Sequence, residues 1–262
     1  MSTQQAAADG HPDAGDPIGS IRRFERAAPR SAGLAGILFS VLFVASLALA
    51  STRPPEGLDD LAFVAWYQAN AITPLTVAAL YMAPFAGIAF LWFIGVIRAR
   101  IGAREDQLFA TVFLGSGFLF VAMYWAAAAV LASLVAGNRF DAAPPLDARA
   151  LESVRSVAFS FLFVLAARAA AVFMIVTCTI AWRTTAILPR PLTISGYMIA
   201  GVMLLSLSFL QWIVLLFPLW VCVASVYILA AEVRAVRGAG EPAASDQAAG
   251  QGQGSAGSPG PR

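Results

Sequence analysis

Residues 154–182 read VRSVAFSFLFVLAARAAAVFMIVTCTIAW. The only charges in the stretch are Arg155 and Arg168. It is longer than the roughly 20 helical residues that cross a hydrocarbon core about 30 Å thick, so it reads as a transmembrane helix. Arg155 and Arg183 bracket it and place Arg168 near mid-membrane. An arginine at that depth costs about 2.5–3.5 kcal/mol on insertion scales. Its side chain leans toward the helix N-terminus. A reach of roughly 6 Å leaves it about 9 Å short of either edge of the core. A partner, freed backbone carbonyls, water or a ligand must therefore solvate it. Ala166, Ala167, Ala169, Ala170 and Ala171 surround it, so the helix is slim there, and a neighbouring helix can approach closely or leave a cavity.

The rest of the chain repeats this material. Of 262 residues, 59% are hydrophobic and 12% charged, against about 25% charged in soluble domains. The expected fold is an all-α membrane protein, a bundle of six transmembrane helices spanning about 33–50, 73–97, 108–136, 154–182, 192–208 and 212–233. The last two come from one apolar run, 192–231, whose length of about 60 Å is twice the core. The division is set near Ser206, Ser208, Gln211 and Trp212. Residues 1–20 and 238–262, rich in small and polar residues, are expected to be disordered tails around a membrane domain at 21–237. Ala48-Leu49-Ala50 before Ser51 resembles a signal-peptidase site, but the run is long enough to stay as an uncleaved anchor.

Two longer loops separate these spans. In 51–72, Asp59 or Asp60 is placed to cap a short interfacial helix through LAFVAWYQAN, with Phe63, Trp66 and Tyr67 suited to the headgroup zone. In 137–153, Asp147 is placed to cap a helix running straight into the fourth span. Pro84 and Pro218 fall inside spans and are expected to free the carbonyls of Leu80 and Val214. Gly115-Ser116-Gly117 reads as a flat helix-packing surface.

Orientation follows the arginines. With the N-terminus inside, Arg22, Arg23, Arg26, Arg30, Arg98, Arg100, Arg104, Arg183, Arg190, Arg234 and Arg237 are cytoplasmic. Only Arg53, Arg139, Arg149 and Arg155 fall outside. That asymmetry predicts both termini in the cytoplasm and an even number of spans in a plasma membrane.

The residue inventory excludes much chemistry. All 17 basic residues are arginine; they flank membrane segments instead of forming a stripe interleaved with aromatics, so no nucleic-acid partner is expected. His11, the only histidine, lies in the N-terminal tail, and Cys178 and Cys222 sit apart in apolar segments, so neither metal nor cofactor is expected. The six spans hold no Asp or Glu before Glu232. This argues against a proton- or sodium-coupled carrier, which places carboxylates within the membrane. It equally leaves an aspartyl protease without its acid pair and a serine–histidine hydrolase without its base. No enzyme is expected.

Several stretches carry a resemblance. LWFIGVIRARIGARED at 91–106, LFATVFLGSGFLFVAM at 108–123, RAAAVFM at 168–174, LPRPL at 188–192 and FPLWVCVASVYIL at 217–229 resemble uncharacterised multi-pass membrane proteins of actinobacteria. The resemblance implies a six-span architecture in a bacterial inner membrane and assigns no catalytic or binding residue.

Two functional readings remain. One is a structural or accessory subunit whose surfaces pack on the bilayer and on a second copy or a membrane partner protein. The other is a protein that binds or moves an anionic amphiphile, a lipid or fatty acid, in a cavity around Arg168. In that case Tyr81, Tyr124 and Gln211 are the candidate polar neighbours of the guanidinium. No carboxylate accompanies them, and guanidinium matches carboxylate or phosphate geometry.

Overall fold

The computed structural model describes the backbone of residues 17–101, 107–139, 147–184, 188–205 and 211–252, and the side chains of 33–98, 108–135, 147–183, 188–205 and 212–234. The described residues are helical throughout, apart from short connections. The helices are α1 (Pro17–Ala50), α2 (Asp60–Asn70), α3 (Ile72–Thr76), α4 (Ala83–Ile101), α5 (Gln107–Arg139), α6 (Ala148–Ser160), α7 (Ala167–Thr184), α8 (Arg190–Leu205) and α9 (Leu216–Gly252). A π-helical turn, Val77–Met82, joins α3 to α4, and a second, Phe161–Ala166, joins α6 to α7. A 3-10 turn, Gln211–Leu215, leads into α9.

Five helical segments are long and apolar enough to cross a membrane: Gly33–Ala50, Ile72–Arg98, Leu108–Val135, Ala148–Arg183 and Trp212–Arg234. The protein is thus a multi-span membrane-helix bundle. The remaining segment, α8, has 16 residues, about 24 Å of helix, and is shorter than the other five. The turn that the sequence places near Ser206 and Ser208 lies outside the described residues. The backbone helix begins at Pro17 and ends at Gly252, so both ends enter stretches read from sequence as tails. In the C-terminal extension, alanines favour helix while Gly238, Gly240 and Pro242 oppose it. Residues 1–16 and 253–262 lie outside the described residues.

Ring packing holds the bundle together. Phe39 and Phe43 of α1, Phe90 and Phe93 of α4, Phe113, Phe120 and Tyr124 of α5, Phe173 of α7 and Phe217 of α9 are all buried. Phe90 lies at the centre, with ring centroids 4.7 Å from Phe39, 5.0 Å from Phe120, 5.2 Å from Phe173 and 5.6 Å from Phe217. One side chain therefore touches four other helices. Tilted and edge-on pairs of this kind add about 0.5–1.5 kcal/mol each beyond area burial. Lipid tails are as apolar as leucine, so such packing, and not escape from water, is what separates the folded bundle from dispersed helices.

The contacts around this core use small residues and a few hydrogen bonds. Trp125 of α5 lies on Gly87 of α4, where a Cβ would meet its indole, and its Nε1 donates to the Ala83 carbonyl at 3.2 Å. Gly36 meets Ser225 and Phe93 in the same way. The Ser40 hydroxyl lies 2.8 Å from the carbonyls of both Gly36 and Pro218, joining α1 to α9. Among the described residues, α8 contributes no ring to the central cluster. It packs on the rim, with Gly196 against Cys178 and Trp220, and Trp220 Nε1 donating to the Leu192 carbonyl at 3.1 Å.

Both prolines sit beside irregular turns. The Ala83 N–H donates five residues back to Ala78. The next donor in that register is Pro84, which has none, so the π-helical turn stops there. Pro218 is the third residue of α9 and follows the 3-10 turn. Its missing N–H therefore falls where the 3-10 turn passes into the α-helix.

The end of the bundle that carries α2 is organised as the sequence suggests. Asp59 is the N-cap of α2 and accepts from the Ala62 N–H at 2.7 Å. Asp147 stands at the N-cap position of α6 but its side chain makes no capping hydrogen bond; α6 continues through the π-helical turn into α7. Tyr67 points inward and is buried, while Phe63 and Trp66 are half-buried, so α2 docks on the protein. Arg155 places its guanidinium carbon 5.5 Å from the ring centroids of both Tyr67 and Phe159. Its NH1 reaches the Thr52 carbonyl at a long 3.4 Å. One arginine thereby ties α2, the connection after α1 and α6 together.

Candidate functional site

Arg168 is the second residue of α7, directly after the second π-helical turn. A π-helical turn widens the backbone and disturbs the four-residue hydrogen-bond ladder. The Ala167 N–H is shared between the carbonyls of Leu162 and Val164. The Arg168 guanidinium leans back one turn and donates to the same Val164 carbonyl at 2.9 Å. A backbone carbonyl at the disturbed turn thus gives the guanidinium part of its solvation. The lean toward the N-terminus follows from helix geometry.

Guanidinium has five N–H donors. Among the described residues, Arg168 makes a single hydrogen bond, the one to Val164. The side chain is half-buried and lines a lateral groove between α5 and α7. Val112, Gly115, Ser116, Leu119 and Met123 form one wall, and Leu165, Arg168, Ala169 and Val172 form the other. The groove has a volume of about 490 Å³. Nothing stands within 4 Å of where a Gly115 Cβ would be, whereas at Gly117 a Cβ would press on Ile94 and Phe173. The Gly115-Ser116-Gly117 surface is therefore divided: Gly117 packs into the core and Gly115 leaves the groove bare.

The structure does not gather the other candidate residues around Arg168. Tyr124 is buried in the core, where its hydroxyl meets Ser46 Oγ at 2.6 Å. It lines a separate cavity of about 30 Å³ with Phe43, Leu47 and several alanines, room for about one water molecule. Tyr81 is 57% exposed. It lines a third space, about 720 Å³, on the lateral face between α4 and α5 with Pro84 and Trp125. Gln211 opens the 3-10 turn before α9, and its side chain lies outside the described residues. The shared polar cavity read from sequence is thus absent among the described residues, because the tyrosines belong to different faces of their helices.

Two polar features were missed. Ser46 is the hydrogen-bond partner of Tyr124, and a serine in an apolar helix gives no sign of which neighbour it meets. Arg155 looked like a boundary charge, yet it is stacked between two rings. Phe159 four residues on is a usable signal for one of these contacts; Tyr67, far away in sequence, is not. Tyr67 lies outside the spans. Burial raises its pKa, and the charge and hydrogen bonding of Arg155 oppose that rise. Among the described residues, no cluster of three His, Cys, Asp or Glu is placed to hold a metal ion. Comparison with protein-family models, curated proteins and solved structures gives no match.

Proposed function

We propose that this chain is a structural or accessory subunit of a bacterial plasma membrane, with no catalytic activity of its own. The observation that carries the reading is the placement of its polar group. The middle of the bundle is filled by phenylalanines from five helices, which favours a sealed scaffold over a conduit. The one mid-span charge lines a groove on the flank, where a neighbour in the membrane has access to it. The test is native mass spectrometry of the protein released from its own membrane in mild detergent. A second protein retained in fixed stoichiometry is the expected result. A lone chain with no retained protein refutes the reading.

A second reading rests on the same groove, which is open to lipid and lined by apolar walls with one cation. That combination suits an anionic amphiphile, such as a fatty acid or acidic lipid. A bound amphiphile that disappears in Arg168→Gln, from a chain that remains folded, favours this alternative.

For topology we infer six crossings with both termini cytoplasmic. The arginine asymmetry supports this, as does the apolar character of α8, which begins at Arg190. The resemblance to actinobacterial membrane proteins agrees with it. Single cysteines at Ser51, Ala143 and Ser245, in a chain lacking its native two, should label with an impermeant reagent in intact cells at the first two positions only. Labelling at Ser245 overturns the even count.

A further inference from the structure

The groove beside Arg168 has a direction. Its wall residues on α5 are Val112, Gly115, Ser116, Leu119 and Met123, and on the other side Leu165 of the second π-helical turn with Arg168, Ala169 and Val172 of α7. Each set follows a three- and four-residue rhythm, which is one stripe along a helix. From Val112 to Met123 the stripe runs about 16 Å along the axis. The groove is therefore a trough parallel to the bundle, about three helical turns long, and it is bare at Gly115. Small residues at such a contact let two backbones approach closely.

The charge selects the occupant. A charge buried without its opposite is the costly arrangement, and Arg168 has one hydrogen bond, to a neutral carbonyl of its own helix. A second copy of this chain brings no carboxylate to that depth. Glu152 stands about 24 Å away along the same helical rod, and Glu232 lies two residues from the end of its span, Trp212–Arg234. A lipid headgroup or a fatty-acid carboxylate rests at the interface, about 15 Å from the mid-plane. The side chain of another spanning helix is held at mid-depth by its own hydrophobic flanks. We infer that the groove receives one transmembrane helix of a different protein, with an aspartate or glutamate near its midpoint facing Arg168. The inference rests on the accessory-subunit reading and gives the partner its chemistry.

The test uses the full-length chain with a photocrosslinking amino acid in place of Leu119, on the groove wall. It is co-expressed with a poly-leucine transmembrane helix carrying one central aspartate, and with otherwise identical helices carrying asparagine or leucine there. The aspartate helix should give about tenfold more crosslinked product than the leucine helix, the scale of a buried polar contact between membrane helices. Arg168→Gln should bring it down to the leucine level, and Arg168→Lys should retain part of the preference. The comparison among the three helices uses the parent arginine and stands whether or not the variants fold. Equal yields from all three helices overturn the inference. A crosslink between two copies of the chain, with no aspartate preference, also overturns it. So does an acidic amphiphile retained through Arg168 without that preference, which assigns the groove to lipid. A native partner that co-purifies but crosslinks away from the groove leaves the accessory reading standing and removes this one.

Discussion

The Ser46–Tyr124 pair allows a prediction in which the two halves of one hydrogen bond have unequal weight. Ser46 Oγ donates its single proton to the Phe43 carbonyl at 2.9 Å. The 2.6 Å contact with Tyr124 must then have the tyrosine hydroxyl as donor. Removing the tyrosine hydroxyl leaves the serine satisfied, so Tyr124→Phe should cost about 0.6 kcal/mol, the average for such bonds in membrane bundles. Removing the serine leaves a buried phenol donor unmet, and Ser46→Ala should cost about 1–2 kcal/mol. The adjoining cavity of about 30 Å³ admits about one water molecule, and a water entering there moves the cost toward the lower figure. The double variant should resemble Tyr124→Phe alone, because no donor is then stranded, giving a coupling as large as the Ser46→Ala cost, about 1–2 kcal/mol. Reversible unfolding in bicelles, followed by steric trapping, measures all four corners. A Tyr124→Phe cost equal to or above that of Ser46→Ala, or additive effects, refutes the donor assignment.

Further outcomes follow from the packing at other points. Gly87→Ala should destabilise the bundle by about 1–3 kcal/mol through overpacking, since its Cβ meets the Trp125 indole; Gly95→Ala and Gly201→Ala, which meet nothing, should be near neutral in the same unfolding assay. Arg155→Ala should loosen α2, seen as faster hydrogen exchange across Asp60–Asn70 with little change in α9. The raised pKa of Tyr67 favours the neutral phenol in the folded state. Its contribution is therefore complete below the ordinary tyrosine value of about 10 and is lost as pH rises through the folded value. Hydrogen exchange in α2, corrected for its intrinsic pH dependence, should accelerate above about pH 10, and Tyr67→Phe should remove that step.

The helical class, the approximate limits of the five long spans, and the cap at Asp59 were legible because they depend on local residue types and on apolar run length; Asp147 takes the N-cap position without its side chain capping. The facing of each helix was not. In a soluble helix the buried stripe differs in polarity from the exposed one, but lipid and protein core are both apolar. Phe90 is at the centre of the bundle and Trp92, two residues on, is 62% exposed, yet both belong to one hydrophobic run. For the same reason Tyr81 and Tyr124 looked like equivalent companions for Arg168. Arg168 stood out in sequence as the lone charge between Arg155 and Arg183, while its position on the flank of the bundle required the packing of α5 against α7. The π-helical turns left no signature, because Val77–Met82 and Phe161–Ala166 have ordinary apolar sequences.

The π-helical turn at Phe161–Ala166 has a consequence for length variation. A wide turn accommodates one residue more than an α-helix of the same facing, so the rods on either side keep their rotational phase while the chain between them is one residue longer. Removing one residue from a membrane helix ordinarily turns everything beyond it by about 100°, which here would swing Arg168 off its groove relative to Arg155. Within Phe161–Ala166 the same deletion should instead heal the helix to uniform α geometry. Both arginines would face as before, but the guanidinium would lose the disturbed carbonyl that now receives it. The segment is thus a built-in slack of one residue, where a shorter sequence can keep the shape of the bundle while changing how Arg168 is solvated.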